Sequence, residues 1–263
     1  MADDALTAAL MRGTIELTGR LVRASNAAFL GTAQLDGTTV RCIYKPVRGE
    51  RPLWDFPTGT LAGREVAAYT VSELSEWELV PSTVVGNGPF GPGMVQQWIE
   101  TADELPVDLV PEGQVPEGWL HVLDATDQHD DPVSLIHLAD EQMRRFAIFD
   151  AVINNADRKA SHFLPDASGH VWGCDHGVCF NVEPKLRTVL WGWADEPLHD
   201  DELEALVALR ARLEGQPGRD ALADCISMAE YLQLLERIDD LIRLGRLPDP
   251  GDHWPSIPWP VFS

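Results

Sequence analysis

Phe149–Gly177, FDAVINNADRKASHFLPDASGHVWGCDHG, carries two acidic turns eighteen residues apart. Asn155-Ala156-Asp157-Arg158 makes the first and Cys174-Asp175-His176-Gly177 the second, with an apolar, strand-like segment between them. Two carboxylates on adjacent loops suit phosphoryl transfer: one orients a hydroxyl nucleophile, the other holds the metal that bridges nucleotide phosphates. On that template Asp157, with Arg158 and Lys159 beside it, forms the catalytic group, and Asp175 is the metal ligand. Lys159 is placed to neutralise a γ-phosphate in the transition state. His162, five residues beyond Asp157, is a second candidate metal ligand, its imidazole better matched to Mn or Zn than to Mg.

Working upstream, residues 14–47 alternate apolar and polar positions in two runs broken by Leu35-Asp36-Gly37-Thr38, a hairpin signal. The first run contains a turn of small residues, in which Ser25 and Asn26 can cover phosphates with backbone N–H groups. No G-x-G-x-x-G accompanies it. The second run, Thr39–Pro46, predicts a strand that delivers Lys45. A Pro-, Gly- and Trp-rich loop over 48–59 precedes a helix over 60–74, with Thr60 as N-cap and Glu65 one turn in. Strands are expected over 79–85 and 93–99, with a turn at 86–92 between them. Gln96-Gln97-Trp98 then falls where the chain leaves the sheet, the place for a hinge whose backbone meets an adenine edge.

Downstream, the acidic stretch 101–134 predicts a loop-rich connector or insertion with a short helix. A long buried helix is expected over 135–152, ending at Asn154-Asn155, and further helices over 200–213 and 219–244. The Pro- and Trp-rich tail, HWPSIPWPVFS, predicts an irregular strap. The layout is α+β: a β-rich lobe over 1–99 with one main helix, a connector over 100–134, and a mostly helical lobe over 135–263. The cleft between such lobes is a natural ligand site.

Composition narrows the partners. The formal net charge of −22 over 263 residues repels nucleic acid and anionic membrane surfaces. The acidic start lacks the basic and apolar regions of a secretory signal, and no apolar run is long enough to cross a bilayer. Four cysteines without a Cys-x-x-Cys pair predict reduced thiols in a cytoplasmic protein. Only Lys45, Lys159 and Lys185 are lysines among 20 basic residues, so each asks for a specific explanation.

Taken in order, IYKP, REVAAY, QQW, INNADRKASH and CDHG resemble the phosphatidylinositol 3-/4-kinase-like branch of the protein-kinase superfamily. HipA-type and secretory-pathway kinases share its Asp-Arg catalytic loop. The resemblance spans about Arg20 to Asn181 and implies a bilobal protein-kinase-like fold with ATP and Mg2+ or Mn2+ in the cleft. It implies Lys45 on the phosphates, Glu65 as its partner, Asp157 as catalytic aspartate and Asp175 on metal. The position of His162 usually holds an asparagine for a second metal, and the basic activation loop of lipid kinases is missing. An ATP-dependent phosphotransferase acting on a hydroxyl of a small molecule, inositol compound or protein is therefore expected. The alternatives are a nucleotide-binding pseudokinase that regulates a partner and a nucleotidyl (AMP) transferase on the same fold.

Overall fold

A computed structural model describes residues 2–21, 26–251 and 255–262. Its N-terminal part is a five-stranded antiparallel sheet of β1 (Thr14–Arg20), β2 (Phe29–Leu35), β3 (Thr38–Pro46), β4 (Thr83–Gly88) and β5 (Gly91–Gln97), in the order β1-β2-β3-β5-β4. Leu35 pairs with Thr38 across a two-residue turn. Asp36 and Gly37 have φ of 47° and 84°, the left-handed pair that a tight hairpin demands and that Asp-Gly supplies. Helix α1 (Ala2–Arg12), which the sequence reading left unassigned, buries Ala9 and Leu10 in a cluster with Val40, Cys42, Tyr44, Val84 and Val95. Alternation along β3 then turns Ile43 and Lys45 to the other face of the sheet.

Helix α2 (Leu61–Ser75) follows as expected, and Thr60 caps it by accepting from the Gly63 N–H at 2.9 Å. The strand expected from 79 starts only at Thr83. Leu79 and Val80 instead direct their N–H groups to Ser72 Oγ, at 2.9 and 3.1 Å.

Residues 101–134 depart from the expected connector. They supply most of a second antiparallel sheet: β6 (Val107–Pro111), β7 (Trp119–Thr126) and β8 (Pro132–Leu138), in the order β6-β8-β7. The side chains of Asp108 and Asp124 are exposed on the flanking strands, while Val107, Leu135 and Ile136 are buried. β8 also runs across the boundary expected between 134 and 135. The long helix predicted from 135 accordingly begins only at Glu141, as α3 (Glu141–Ile153), with the Asp140 carboxylate accepting from the Met143 N–H at 2.8 Å. The cause is that β8 is buried on both faces over Ser134–His137. An apolar run without alternation looks the same in a buried strand and a buried helix.

The rest consists of helices and irregular loops, with a short ribbon of β9 (Phe163–Pro165) and β10 (Val171–Gly173) separating the two acidic turns. Helix α4 (Asp200–Glu214) matches expectation. The single helix predicted over 219–244 is two, α5 (Gln216–Ala223) and α6 (Met228–Leu244). Ser227 and Glu230 form a reciprocal capping box that starts α6 afresh. Phe146, Phe149, Leu206, Leu209, Leu234 and Ile238 are fully buried in one large cluster that also takes in Ala67 and Val71 of α2. A buried ion pair, Arg64 Nη2 to Glu230 Oε1 at 2.5 Å, pins α2 to α6. Part of the tail straps the acidic-turn region: Val261 O accepts from the Ala160 N–H at 3.1 Å, and Ser256 O from Trp191 Nε1 at 2.9 Å. Among the described residues no helix is long and apolar enough to cross a membrane. The chain is thus α+β, with a β-rich N-terminal lobe and a mainly helical C-terminal part facing each other across a cleft.

Candidate active site

The centre of the cleft is a three-residue contact between parts of the chain far apart in sequence. Lys45 Nζ, at the end of β3, donates to Glu65 Oε1 of α2 at 2.7 Å and also to Asp175 Oδ1. The His176 N–H donates to Glu65 Oε2 at 2.9 Å, so one buried carboxylate holds both the lysine and the second acidic turn. Burial alone would push the Lys45 ammonium down, but Asp175 and Glu65 together hold it above its usual range. The Lys45 charge in turn holds the Asp175 carboxyl well below the usual carboxylate range. Burial raises the Glu65 carboxyl, against the pull of Lys45. Asp175 itself has φ of 59°, an uncommon conformation for a residue other than glycine, which turns its half-exposed carboxylate into the cleft.

The first acidic turn supplies the opposite wall. Asp157 carries a cation on each oxygen: Arg187 Nη2 at 3.3 Å from Oδ1 and Lys159 Nζ at 3.3 Å from Oδ2. Its N–H donates to Asn155 Oδ1 at 3.0 Å, an Asx-type turn that fixes the loop. His162 Nε2 stands 3.7 Å from Asp175 Oδ2. Burial lowers this imidazole to about 4, so near neutrality it is uncharged and able to serve as a ligand.

Lys45, Glu65, Asn26, Asp157, Lys159, His162 and Asp175 all line one cavity of about 440 Å³. Four other expected site residues do not. Arg158 is fully buried: its guanidinium grips Asp150 at 2.9 Å, lies 2.7 Å from His176 Nε2, and sits between the rings of Phe146 and Phe163. It braces the two acidic turns from behind and does not line the cavity, unlike Asp157, with which the sequence reading grouped it as catalytic. Gln96 is buried and donates to Thr83 Oγ1 at 2.8 Å. The Gln97 and Trp98 N–H groups donate to Ser82 O and Arg41 O, both at 2.9 Å, and neither residue reaches the cavity. The backbone donors expected at the hinge are thus committed to neighbouring strands. Ser25 lies outside the described residues.

Sequence reading missed Glu50, Arg51 and Leu53, which line the cavity from the loop before α2. It also missed Asp150, whose carboxylate gathers Arg158, Asn155 Nδ2 at 2.9 Å and Thr188 Oγ1 at 3.1 Å. An aspartate facing inward from a buried helix was the available signal for the latter. Nothing in the Pro-rich loop announced the former.

No family model matches the chain. A crystal structure of the Helicobacter pylori proinflammatory kinase CtkA aligns with a TM-score of 0.47 at 12% identity, over 90% of this chain and 95% of that one. A likeness at that level leaves the architecture to stand on its own geometry. Protein Rv2133c of Mycobacterium tuberculosis (strain ATCC 25618 / H37Rv) is 48% identical over 265 residues, covering 97% of this chain and 95% of that protein. At that identity over nearly its whole length, the chain belongs to the family of the mycobacterial protein Rv2133c.

Proposed function

We propose that the chain is an ATP-dependent phosphotransferase of the phosphatidylinositol 3-/4-kinase-like type, acting on an alcohol. The observation that carries this reading is Lys45 held between Glu65 and Asp175 above a cavity that also contains Asp157 and Lys159. A strand lysine paired with a helix glutamate is the phosphate-binding device of kinases, and an aspartate after a short ribbon is their metal ligand. In the transfer step the acceptor oxygen bonds to the γ-phosphorus while the bond from that phosphorus to the β–γ bridging oxygen breaks. The hydroxyl proton passes to Asp157 and ADP leaves. Lys159 stabilises the charge on the equatorial oxygens.

Among the described residues no group of three or more His, Cys, Asp or Glu side chains is gathered to hold a metal. Mg2+ takes one or two carboxylates and fills its shell with phosphate oxygens and water. Asp175 is the residue to hold it, and the ion would neutralise phosphate charge. The neutral His162 extends the donor set toward Mn2+.

Incubation with γ-labelled ATP, Mg2+ or Mn2+, and a panel of alcohols tests the reading. Transfer or ATP hydrolysis is expected from the wild type and at least about 100-fold less from Asp157→Asn or Asp175→Ala. Equal background from all three sinks it. Mass spectrometry of the product separates a phosphoryl adduct of about 80 Da from an adenylyl adduct of about 329 Da. A second reading, a nucleotide-binding module without turnover, draws on the direct Lys45–Asp175 contact, which occupies a metal-facing oxygen. Thermal stabilisation by ATP with no label transferred would favour it.

A further inference from the structure

Of the three lysines, Lys45 and Lys159 face the cleft, and Lys185 is left without a role in phosphate chemistry. Lys185 is only 3% exposed, an unusual position for a lysine. Its Nζ lies 3.3 Å from Asp55 Oδ2 and 5.3 Å from the centre of the Trp54 ring. Asn181 Nδ2 donates to the backbone oxygen of the same Asp55 at 2.7 Å. Asn181 and Lys185 belong to the segment just after the second acidic turn. That segment is fixed to the C-terminal lobe by Asn154, the left-handed cap of α3. Asn154 Nδ2 donates to Asn181 O at 2.9 Å and to Glu183 O at 2.6 Å, and its Oδ1 accepts from the Lys185 N–H at 2.9 Å.

Asp55 lies on the strap of residues 47–60 that leads from β3 to α2. The other end of the strap is held by the N-terminal lobe. The Arg51 N–H donates to Asn26 Oδ1 at 2.9 Å, and the Glu50 carboxylate accepts from the Leu61 and Ala62 N–H groups at 3.0 and 2.8 Å. Between these anchors Glu50, Arg51 and Leu53 form one wall of the cavity that holds Asp157, Lys159 and Val178. The strap therefore reaches from the turn at Asn26 to the segment 181–185 and walls one side of the cavity that Asp157 lines. The cavity as a whole, about 440 Å³, is at the lower end of small-molecule sites.

We propose that this strap, latched by Lys185 on Asp55, is the acceptor-selecting wall of the cleft, and that the acceptor is a small hydroxyl compound and not a polypeptide. The inference rests on the phosphotransferase reading for the chemistry, whereas the latch itself is a property of the fold. Closure also keeps bulk water from competing with the acceptor.

Two measurements test it. The first compares hydrogen exchange of residues 50–56 and 178–185 in the wild type, Asp55→Ala and Trp54→Ala, without nucleotide. Exchange about tenfold faster in both segments of Asp55→Ala, and a smaller rise in Trp54→Ala, is expected. Unchanged exchange in Asp55→Ala overturns the latch. The second offers γ-labelled ATP with Mg2+ and either casein or the lysate fraction below about 1 kDa. Label confined to the small fraction with wild type, and appearing on casein with Asp55→Ala, supports the proposal. Label on casein with wild type overturns it. Failure of ATP to raise the melting temperature of any form would count against the phosphotransferase reading, while the exchange result would still decide the latch.

Discussion

At the scale of single residues, the distinction that matters is between Asp157 and the neighbouring Arg158. Side by side in sequence, they face opposite ways: Asp157 lines the cavity, and Arg158 is wholly buried against Asp150. Breaking a buried ion pair from one side strands the other charge and costs about 3–5 kcal/mol. Arg158→Ala is therefore expected to lower the unfolding free energy from urea denaturation by that much, because Asp150 keeps only Asn155 and Thr188 as partners for its buried charge. A catalytic arginine would behave differently, losing transfer with stability intact, so denaturation and activity measured on the same preparation separate the two. Arg158→Lys should recover little, because a lysine cannot reproduce the fork that meets both oxygens of Asp150.

At the scale of elements, strand β8 carries its own pH sensitivity. His137 is fully buried against Trp193, with ring centres 4.5 Å apart. Its Nδ1 is 2.9 Å from Leu138 O, and its Nε2 accepts from the Gly192 N–H at 3.2 Å, an arrangement that needs the neutral ring. Burial lowers its pKa to about 4. The unfolded chain, with an ordinary histidine near 6.5, binds a proton that the folded chain refuses. The stability that depends on the neutral ring is therefore complete above pH 6.5 and is lost as pH falls from there toward 4, by up to about 3 kcal/mol. His162 adds a change of the same sign over the same window. Chemical denaturation of His137→Asn across that range is expected to show a shallower fall than the wild type. An identical slope would mean that His137 is protonated in the folded state.

At the scale of the whole molecule, three basic side chains set among four carboxylates line the cleft of a strongly anionic particle. Lys45, Arg51 and Lys159 line the cavity, but the chain carries a net charge of −22. Long-range repulsion of MgATP should dominate its approach at low salt, since the Debye length falls from about 30 Å at 0.01 M to about 8 Å at 0.15 M. The association rate of MgATP is accordingly expected to rise over that range in stopped-flow measurements. A fall would show that the field of the cleft lysines governs capture instead. The same scale explains how the lobes are joined. Helix α2 bears Glu65 toward the cleft and Arg64 toward α6, so the ion pair with Glu230 and the contact with Lys45 are set by one rigid element.

Much of this was readable in the chain. Asp36-Gly37 specifies its hairpin because only left-handed residues close it, and Thr60 announces α2 because its side chain can satisfy an orphan N–H. The scarcity of lysine marked Lys45 and Lys159, and the local order of Asp157, His162 and Asp175 marked the cavity. These are short-range signals, in which a residue type answers a requirement of its immediate backbone or chemistry. Other features depended on neighbours distant in sequence. The double-sided burial of β8 erased the alternation that would have marked a strand, and pairing with β6 and β7 decided it. The hinge donors of Gln97 and Trp98 are used by Ser82 and Arg41, partners no spacing rule names. The strap from 47 to 60 reads as an unstructured loop until Lys185 and Asn181, more than a hundred residues on, hold Asp55. The sequence by itself determined which charged and ligand-type residues were available to a cleft. The tertiary structure decided which of them face the same space, because burial and hydrogen-bond partners are properties of the packed chain.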